Sequence, residues 1–418
     1  MKIYPFAAIR SPAHRVSEVS CPPYDVVDRS QAAELATAKP NSFMRVVRAE
    51  VDCDPASDAH SPQVHARARR NFLDLIARGY LVRDPEPGMY VYRQSTGGRR
   101  QAGLVCCVGV DEYRSGSIRK HELTRPDKEG DRVSHMRAVG AHTESVLLAA
   151  PEQPELVRLL ARDMNDRPLV HFAAKDGVTH TLWRVHEIAP YIELFGSVEM
   201  LFIADGHHRC AAAARLADDG GATDSTARSA DARCFPATIF PAEELHILPY
   251  HRLVRFAAGQ SSAQVARHLR ALGTLDQTAH ECVDAPTRAG EVGVFMDGAW
   301  WQFHLPASSC AGPLEGLDVV RLSNCVLGPI LGITDERIDQ RISFAGGCSR
   351  DQLAQIVLRG EADIAFAMHP TSMDQLLQVA RANLIMPPKS TWFDPKLRSG
   401  LFAHAFESAL TDELASTP

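Results

Sequence analysis

Five consecutive residues near the middle of the chain combine a carboxylate, a glycine, two imidazoles and a guanidinium: Asp205, Gly206, His207, His208 and Arg209. An apolar run, Val198 to Ile203, precedes them, and the helix-forming run Cys210 to Leu216 follows. This order predicts a strand, a tight turn and a helix. The first N–H groups of a helix have no partner within the helix, and together with the helix dipole they attract anions such as phosphate. The segment therefore predicts an anion-binding turn.

Each side chain of this turn has a chemical use. Gly206 would let a ligand approach the backbone closely, and Arg209 can donate two parallel hydrogen bonds to phosphate oxygens. His207 and His208 can donate, accept or bind a metal near neutral pH. Asp205 could hold Mg²⁺ or position a nucleophile. In the alternative interpretation Gly206 only permits the turn, and the histidines bond to buried backbone groups.

A second polar segment begins at His121-Glu122. Its start is similar to a metalloprotease helix, but Arg125 stands four residues after His121 and Pro126 follows at once, so zinc chelation on a helix is excluded. Glu122 is a candidate general base, with Lys128 and Arg132 as anion-binding residues. A solvated, charged surface is the open alternative.

Two proline-rich segments also carry candidate residues. Three prolines within 386–396 impose an extended course that would carry Lys389, Ser390 and Thr391 to a fixed place, although the glycines of a nucleotide P-loop are missing. A plain connector is the alternative. Pro22-Pro23-Tyr24-Asp25 predicts a turn and makes Asp25 a candidate catalytic residue.

Two further pairs of residues follow predicted strands. His251 and Arg252 come after the strand predicted at 235–240 and are candidate substrate-binding residues. Trp300 and Trp301 follow Asp297-Gly298 in a predicted hairpin, where core packing is expected rather than ligand stacking.

The remaining pattern predicts alternating helices and strands. Strands are expected at 42–47, 89–93, 103–110, 143–150 and 182–185, with Gly97-Gly98 turning the second into the third, and helices at 65–78 and 154–164. The polar stretch 218–233 is expected to be an exposed loop, either a lid or disordered. We predict an N-terminal lobe at 1–195, a C-terminal lobe at 196–406 and a frayed tail at 407–418.

Composition limits the class of protein. The chain has 418 residues, 45% of them hydrophobic, enough for a substantial core. Its net charge of -6 argues against a nucleic-acid binder that relies on general phosphate attraction. No secretory signal or membrane-spanning run is readable, so a cytoplasmic location is expected. The ten cysteines form no C-x-x-C, which predicts reduced thiols and removes the usual structural zinc pattern.

Several segments, in this order, resemble the prokaryotic family known as domain of unknown function 1015. The matching stretches are Cys21 to Val27, His121 to Thr124 with Asp131-Arg132, Ile203 to Arg209, Ile247 to Arg252 and Met386 to Phe393. The polar insertion around 218–233 departs from the family pattern, as does Cys210, where an aromatic residue is common. More distantly, Gly206 to Arg209 resembles the phosphate-binding turn of the ParB and sulfiredoxin superfamily, some of whose members are kinases of free L-serine.

This resemblance implies a fold, a reaction and residue roles. The fold would be α/β (mixed α+β), with a ParB/sulfiredoxin-like nucleotide-binding core elaborated by additional mixed-sheet lobes. The reaction would transfer the terminal phosphate of ATP or ADP, with Mg²⁺, to a small hydroxyl compound, with free L-serine as the best candidate acceptor. Arg209 and Lys389 would bind phosphate, Asp205 would hold Mg²⁺, and Glu122 or Asp25 would orient the acceptor, with His207 or His208 between them.

Two other functions stay open. One is a hydrolase or lyase acting on a phosphorylated metabolite, and the other is a nucleotide-binding module without catalysis. In each case the expected partner is a small molecule, an amino acid or a phosphorylated metabolite, and neither nucleic acid nor membrane is expected. A homodimer is also open.

Overall fold

The computed structural model describes residues 1–220, 233–277, 286–307 and 312–406. The chain forms two compact units, each discontinuous in sequence. Unit 1 contains Met1–Lys120, Thr124–Leu245 and Pro395–Pro418, and unit 2 contains His121–Leu123 and His246–Asp394. Most of the predicted loop at 218–233 and the whole predicted tail at 407–418 lie outside the described residues.

The described helices begin and end at defined residues. They are α1 (Val16–Val19), α2 (Arg29–Ala38), α3 (Met44–Val47), α4 (Pro62–Ala77), α5 (Val110–Arg114), α6 (Pro126–Val139), α7 (Pro154–Asp163), α8 (Ala189–Ser197), α9 (His207–Gly220), α10 (Ser262–Leu272), α11 (Asp318–Leu322), α12 (Arg350–Leu358) and α13 (Met373–Arg381). Within the described chain, no helix combines the length and the apolar character needed to cross a membrane.

The described strands alternate with these helices. They are β1 (Ile3–Tyr4), β2 (Ile9–Arg10), β3 (Val82–Arg83), β4 (Tyr90–Thr96), β5 (Arg99–Gly109), β6 (Ile118–Arg119), β7 (Ala141–His142), β8 (Val146–Ala150), β9 (Val170–Ala173), β10 (Thr179–Arg184), β11 (Leu201–Asp205), β12 (Cys234–Pro241), β13 (Ile247–Leu248), β14 (Tyr250–Val254), β15 (Leu275–Gln277), β16 (Glu291–Met296), β17 (Ala299–His304), β18 (Ile342–Gly346), β19 (Ile364–Met368), β20 (Trp392–Phe393) and β21 (His404–Ala405).

A mixed sheet forms the centre of unit 1. Its described strands follow the order β6-β11-β8-β12-β5-β4-β10-β9, and β1 also pairs with β5. β12 runs parallel to β8, whereas β5 runs antiparallel to β12 and β11 runs antiparallel to β8. All five residues of β8 are buried, as expected for a strand covered on both faces. The predicted mixed α/β class is confirmed.

The β4–β5 hairpin is one of the elements predicted correctly. Tyr90 to Thr96 pairs antiparallel with Arg99 to Val105, and Gly97 and Gly98 both have positive φ. A two-residue hairpin turn of this kind requires positive φ at both positions, which glycine adopts without strain. The helices predicted at 65–78 and 154–164 are also confirmed, as α4 and α7.

The helix α9 is held in place by packing against α6. Val133 and Met136 of α6 form a buried cluster with Ala212 and Leu216 of α9, and Phe406 completes it. α9 follows β11 directly, as predicted, so the strand, turn and helix around Gly206 are confirmed. This packing fixes the direction in which α9 leaves the turn.

Two predictions about organisation were wrong. The segment 42–47 is a helix, α3, rather than a strand, because a short apolar run has no distinct period and packing decides its state; Met44, Val46 and Val47 are all buried. The predicted domain boundary at 195 divides one sheet, since β12 after it pairs with β8 and β5 before it.

Unit 2 is built on an antiparallel sheet of its own. Its described strands follow the order β15-β17-β16-β19-β14-β18, and β13 pairs separately with β20. The predicted hairpin after Asp297-Gly298 is formed by β16 and β17, and Trp300 is buried in the core of this unit, as expected.

Candidate active site

The turn between β11 and α9 requires glycine at 206. The φ angle of Gly206 is +101°, and the pairing of β11 with β8 shifts register between Ile203 and Asp205. A Cβ at position 206 would lie 3.0 Å from Nε and 3.1 Å from Cζ of Arg209. The space above Gly206 is therefore filled by the guanidinium of Arg209, where the sequence predicted a ligand.

Asp205 is held between two cations. Its Oδ2 accepts a hydrogen bond from Nη2 of Arg209 at 2.7 Å, and its Oδ1 accepts one from Nζ of Lys396. Burial pushes the pKa of Asp205 up, but Lys396 and Arg209 outweigh burial, so that the pKa is lowered well below its usual range. Asp205 is thus a stable carboxylate in this cluster.

Arg209 is almost completely buried. Its Nη1 donates to the carbonyl oxygen of Ser145, and its side chain is 6% exposed. Burial lowers the pKa of Arg209, but the negative charges of Asp205, Glu144 and Asp25 raise it by more, so the net shift is upward. The guanidinium therefore stays charged and ties the turn to the start of β8.

Glu144 is a second carboxyl group in the same cluster. Its Oε1 accepts a hydrogen bond from Oγ of Ser399. Burial raises its pKa, and this exceeds the lowering caused by Arg209 and Ser399; Asp25 adds to the rise. A carboxyl group with a raised pKa can exchange protons nearer neutral pH, which suits a general base.

A hydrogen-bonded network surrounds Arg132. Its Nη2 donates to Oδ2 of Asp131 at 2.6 Å, and its guanidinium lies over the ring of Tyr24, with Cζ 4.3 Å from the ring centroid. Oδ1 of Asp131 also bonds to Nδ1 of His60 at 2.7 Å and to Nε2 of His65 at 3.1 Å. Arg132 also lowers the pKa of Glu144, because its positive charge favours the ionised carboxylate.

The two histidines of the turn differ in exposure. His207 is 7% exposed, and its electrostatic interaction with Asp205 contributes to the lowered pKa of that carboxyl group. His208 is half-buried, and its Nε2 accepts a hydrogen bond at 3.2 Å from the backbone N–H of Arg125, the residue before α6. His208 therefore supports the junction of α6 and α9 in this structure.

In unit 2, the predicted Lys389–Thr391 segment is fixed by hydrogen bonds. Oγ of Ser390 donates to the carbonyl of Pro387 at 2.7 Å, and Oγ1 of Thr391 lies 3.3 Å from Nε2 of His121. Lys389 is exposed, has a φ of +57° and places its ammonium 5.7 Å from the ring centroid of Tyr250. The loop thus presents an exposed ammonium from a constrained backbone.

A cavity of about 550 Å³ also lies in unit 2. It is lined by the π-helical turn Ser323–Leu327, the loop 333–337 and the prolines Pro387 and Pro388. Glu336, in its wall, accepts a hydrogen bond from Oγ of Ser323.

A known protein family matches most of the chain. The family described as "Protein of unknown function (DUF1015)" matches residues 3–320, more than half of the sequence. The chain belongs to this family. No curated protein sequence matches the chain.

Three solved structures resemble this DUF1015 protein. A conserved hypothetical protein from Pyrococcus furiosus has 14% identity and a TM-score of 0.38, over 73% of this chain and 96% of its own. A free serine kinase in complex with AMP has 13% identity and a TM-score of 0.36, over 69% and 86%. SbnI from Staphylococcus aureus, with its C-terminus truncated, has 13% identity and a TM-score of 0.38, over 74% and 90%. At such TM-scores these likenesses carry no argument about activity.

Unit 1 of the DUF1015 protein brings together several predicted residues. Arg209 interacts electrostatically with Asp205 and Asp25, and also with Glu144. Asp25 is exposed, in a 3₁₀ turn, and Lys128 is exposed on the first turn of α6. Glu122, Lys389, Ser390 and Thr391 belong to unit 2, and their predicted roles stay predictions.

Two predicted roles do not fit the geometry. Both oxygens of Asp205 are already bound by cations, so the carboxylate is poorly suited to hold Mg²⁺. His251 uses both ring nitrogens on backbone groups: Nδ1 accepts from the N–H of Met368 and Nε2 donates to the carbonyl of Cys348, each at 3.0 Å. Neither ring nitrogen of His251 is therefore left to bind a substrate. Arg252 is fully buried and donates to the carbonyls of Tyr250 and Lys389.

Sequence reasoning missed Glu144 and Lys396. Glu144 stands in the polar run 142–145 before the buried strand β8, and a carboxylate in that position was the available signal. Lys396 is the last residue of the proline-rich segment. Within that segment the sequence favoured Lys389, because Ser390 and Thr391 follow it.

Proposed function

We propose that this protein transfers the terminal phosphate of ATP or ADP to the hydroxyl group of a small metabolite, with free L-serine as the acceptor. The observation that carries the proposal is the cluster in unit 1 at the start of α9: the buried Arg209 and the half-buried Lys396 lie there, with the carboxyl group of Glu144, whose pKa is raised, near Arg209. The resemblance of Gly206 to Arg209 to a phosphate-binding turn supports phosphoryl transfer as the class of reaction.

The phosphate groups are bound by the first turn of α9. α9 is 14 residues long, so its N-terminus carries a full helix dipole together with N–H groups that lack helical partners. Lys396 adds an ammonium group at the same turn, held there by Asp205. Phosphoryl transfer needs charge stabilisation and alignment more than covalent chemistry, and this arrangement supplies both.

Glu144 acts as the general base. The hydroxyl proton of the acceptor passes to the Glu144 carboxylate as the hydroxyl oxygen bonds to the terminal phosphorus. The bond between that phosphorus and the bridging oxygen breaks, and the shortened nucleotide leaves with the bond electrons. Arg209, whose guanidinium faces Glu144 and Asp205, keeps both carboxyl groups in position.

Asp25 binds the ammonium group of the acceptor. It is exposed, unlike Glu144, and it lies close enough to affect the pKa of Glu144 and of Arg209. An exposed carboxylate beside a proton-accepting one selects an acceptor that carries both a cationic amine and a hydroxyl, as L-serine does. The roles predicted for Glu122 and for Lys389 to Thr391 stay predictions.

The proposal is tested by product analysis. The purified protein is incubated with Mg²⁺, L-serine and either ATP or ADP, and the mixture is analysed by mass spectrometry. We expect O-phosphoserine in an amount equal to the nucleotide consumed. O-Phosphoserine absent with both nucleotides would overturn L-serine as the acceptor.

The same experiment separates the alternatives. Inorganic phosphate released without an acceptor would indicate the hydrolase, and calorimetric nucleotide binding without turnover over a panel of hydroxyl metabolites would indicate the binding module.

A further inference from the structure

Three metal-binding side chains that are distant in sequence meet in unit 1. They are Cys107 on β5, Cys234 at the start of β12 and His404 on β21, and their ligand atoms all lie within 4.8 Å of one another. Sγ of Cys234 is 3.7 Å from Nε2 of His404. Cys107 and His404 are buried and Cys234 is half-buried, so the cluster is reached from one side.

Strand pairing puts the two sulfur atoms together. β5 and β12 are antiparallel, with Cys107 opposite Pro236 and Cys234 opposite Gly109. Cys107 and Cys234 are therefore diagonal neighbours on one face of the sheet. Cys106 faces the other side, where it belongs to the main apolar core.

A second imidazole borders the cluster. His142 lies directly opposite His404 in the β7–β21 pair, and the two rings stack with centroids 6.2 Å apart and an interplanar angle of 9°. Nε2 of His142 is buried and has no hydrogen-bond partner among the described residues. Such a nitrogen is costly to bury unless a further polar group or ion serves it.

We propose that Cys107, Cys234 and His404 bind one thiophilic divalent ion of the zinc class. Two thiolates and an imidazole are ligands that zinc prefers, whereas Mg²⁺ and Ca²⁺ require oxygen. Zinc lies ~2.3 Å from sulfur and ~2.0–2.1 Å from nitrogen, so ligand atoms in a tetrahedral site are roughly 3.5–3.8 Å apart. The 3.7 Å between Sγ of Cys234 and Nε2 of His404 already matches this spacing.

Charge balance favours this occupant. Each thiol releases its proton to solvent as its sulfur bonds to the ion, and no electron is transferred. Two thiolates then cancel the charge of the divalent ion, which makes burial of the group tolerable.

The ion would fasten the last described segment of the chain to the central sheet. Lys396 and Ser399 lie shortly before His404 in that segment, and both contact the cluster around Asp205 and Glu144. The site is thus separate from the proposed reaction but anchors two of its residues. Because the sequence has no C-x-x-C, only the fold reveals these ligands.

The test uses the full-length reduced protein after removal of metals by a chelator. It is titrated with Co²⁺, which substitutes for zinc and absorbs through thiolate-to-metal charge transfer, and then with Zn²⁺. We expect one equivalent of Co²⁺ to give this absorption and Zn²⁺ to displace it. Co²⁺ binding without the charge-transfer band, or no binding, would overturn the proposal.

Variants assign the ligands. Cys107→Ser and Cys234→Ser should each weaken Co²⁺ binding and lower the intensity of the charge-transfer band, and the double variant should abolish the band. The neighbouring Cys106→Ser is the matched control that keeps it. His142→Ala should weaken binding by about 10–100-fold, as expected for a group just outside the ligands. If the band kept its full intensity in both single variants, or persisted in the double variant, the assignment would be wrong.

A measurement on the unaltered protein guards against variants that fail to fold. X-ray absorption of the zinc-loaded protein should show two sulfur neighbours at ~2.3 Å and nitrogen at ~2.0–2.1 Å. A first shell of oxygen alone would contradict the site, as would a Cys107–Cys234 disulfide that survives in reducing buffer.

Discussion

At the scale of single residues, the environment of Glu144 differs clearly from that of a surface carboxyl group. Burial raises its pKa while two guanidinium groups, of Arg209 and Arg132, lower it. A buried carboxyl that is neither fully neutralised nor fully hydrated is expensive for stability, and such groups cluster at functional sites. Catalysis and stability therefore make opposite demands on this residue.

Glu144→Gln should lower activity and change its pH dependence. If Glu144 is the base, removing its carboxylate should reduce kcat by ~10²–10⁴-fold with little change in the KM for nucleotide. In the wild type, kcat should rise as the pH passes upward through the raised pKa of Glu144, and this rise should disappear in the variant. The exposed Glu199→Gln is the control. Equal pH profiles for Glu144→Gln and wild type would exclude Glu144 as the base.

The same substitution should lower activity but increase stability relative to wild type as the pH rises. Because the pKa of Glu144 is raised on folding, its contribution to stability is complete below the ordinary carboxyl pKa of about 4.3 and is lost as the pH rises through the raised value. Glutamine loses nothing over that range. We expect the free energy of unfolding of Glu144→Gln, relative to wild type, to increase from acidic to neutral pH in urea titrations. A constant difference would mean that burial does not raise this pKa.

The sequence predicted a glycine-dependent turn at Gly206, but the structure gives a different reason for the glycine. We expected space for a ligand, whereas the guanidinium of Arg209 occupies that space. Sequence identified the residues of the turn, since a strand, a glycine and an alanine-rich helix are local patterns. It could not show that Arg209 folds back over Gly206, because that depends on Asp205 and on the carbonyl of Ser145, 64 residues earlier.

Gly206→Ala should destabilise the protein by about 1–3 kcal/mol, because the backbone is strained for any L side chain and the new Cβ crowds Arg209. Gly177→Ala is a matched control: its φ is +82°, but a Cβ there meets nothing within 4 Å. Chemical denaturation measures both. If the two variants lose equal stability, crowding by Arg209 contributes nothing.

At the scale of elements, α9 depends on α6. Leu216 of α9 and Met136 of α6 belong to one buried cluster. Because α6 also carries Asp131 and Arg132, this interface positions those two residues relative to the turn before α9. The helix-forming run of α9 was visible in the sequence, but its partner helix was not, because α6 begins in a strongly charged stretch with little apolar content. The apolar segment 42–47 was wrongly predicted to be a strand. A short apolar run indicates that its residues are buried, but it does not distinguish a helix from a strand.

Leu216→Ala should cost about 2–5 kcal/mol through lost burial and the resulting cavity. Ile192→Ala, on the exposed face of α8, removes a similar number of carbon atoms and should change stability by no more than about 0.5 kcal/mol. Thermal or denaturant unfolding distinguishes them. Equal losses would show that α9 gains little from α6.

At the scale of the whole molecule, the path of the chain decides which residues meet. The chain leaves unit 1 after Leu245 and returns at Pro395, and the returning segment supplies Lys396 and Ser399 to the cluster. No local pattern signals such a return, which explains why the predicted boundary at 195 was wrong and why Lys396 was overlooked.

Division at the predicted boundary should therefore fail. Fragments 1–195 and 196–418 would separate β8 and β5 from β12, leaving buried strand edges without partners. We expect neither fragment alone to give the circular dichroism and cooperative melting of the intact chain. Two independently folded fragments would contradict the observed sheet order.

The proposed function is tested most directly by the transfer of a labelled terminal phosphate from nucleotide to L-serine, measured side by side for wild type, Lys396→Met and Lys175→Met. Lys175 is exposed in unit 1 and serves as the control. We predict labelled O-phosphoserine from wild type and Lys175→Met, and a loss of at least about 100-fold from folded Lys396→Met, the scale of one removed charge-stabilising donor. Transfer by Lys396→Met at the wild-type rate, or no transfer by wild type, would contradict the account.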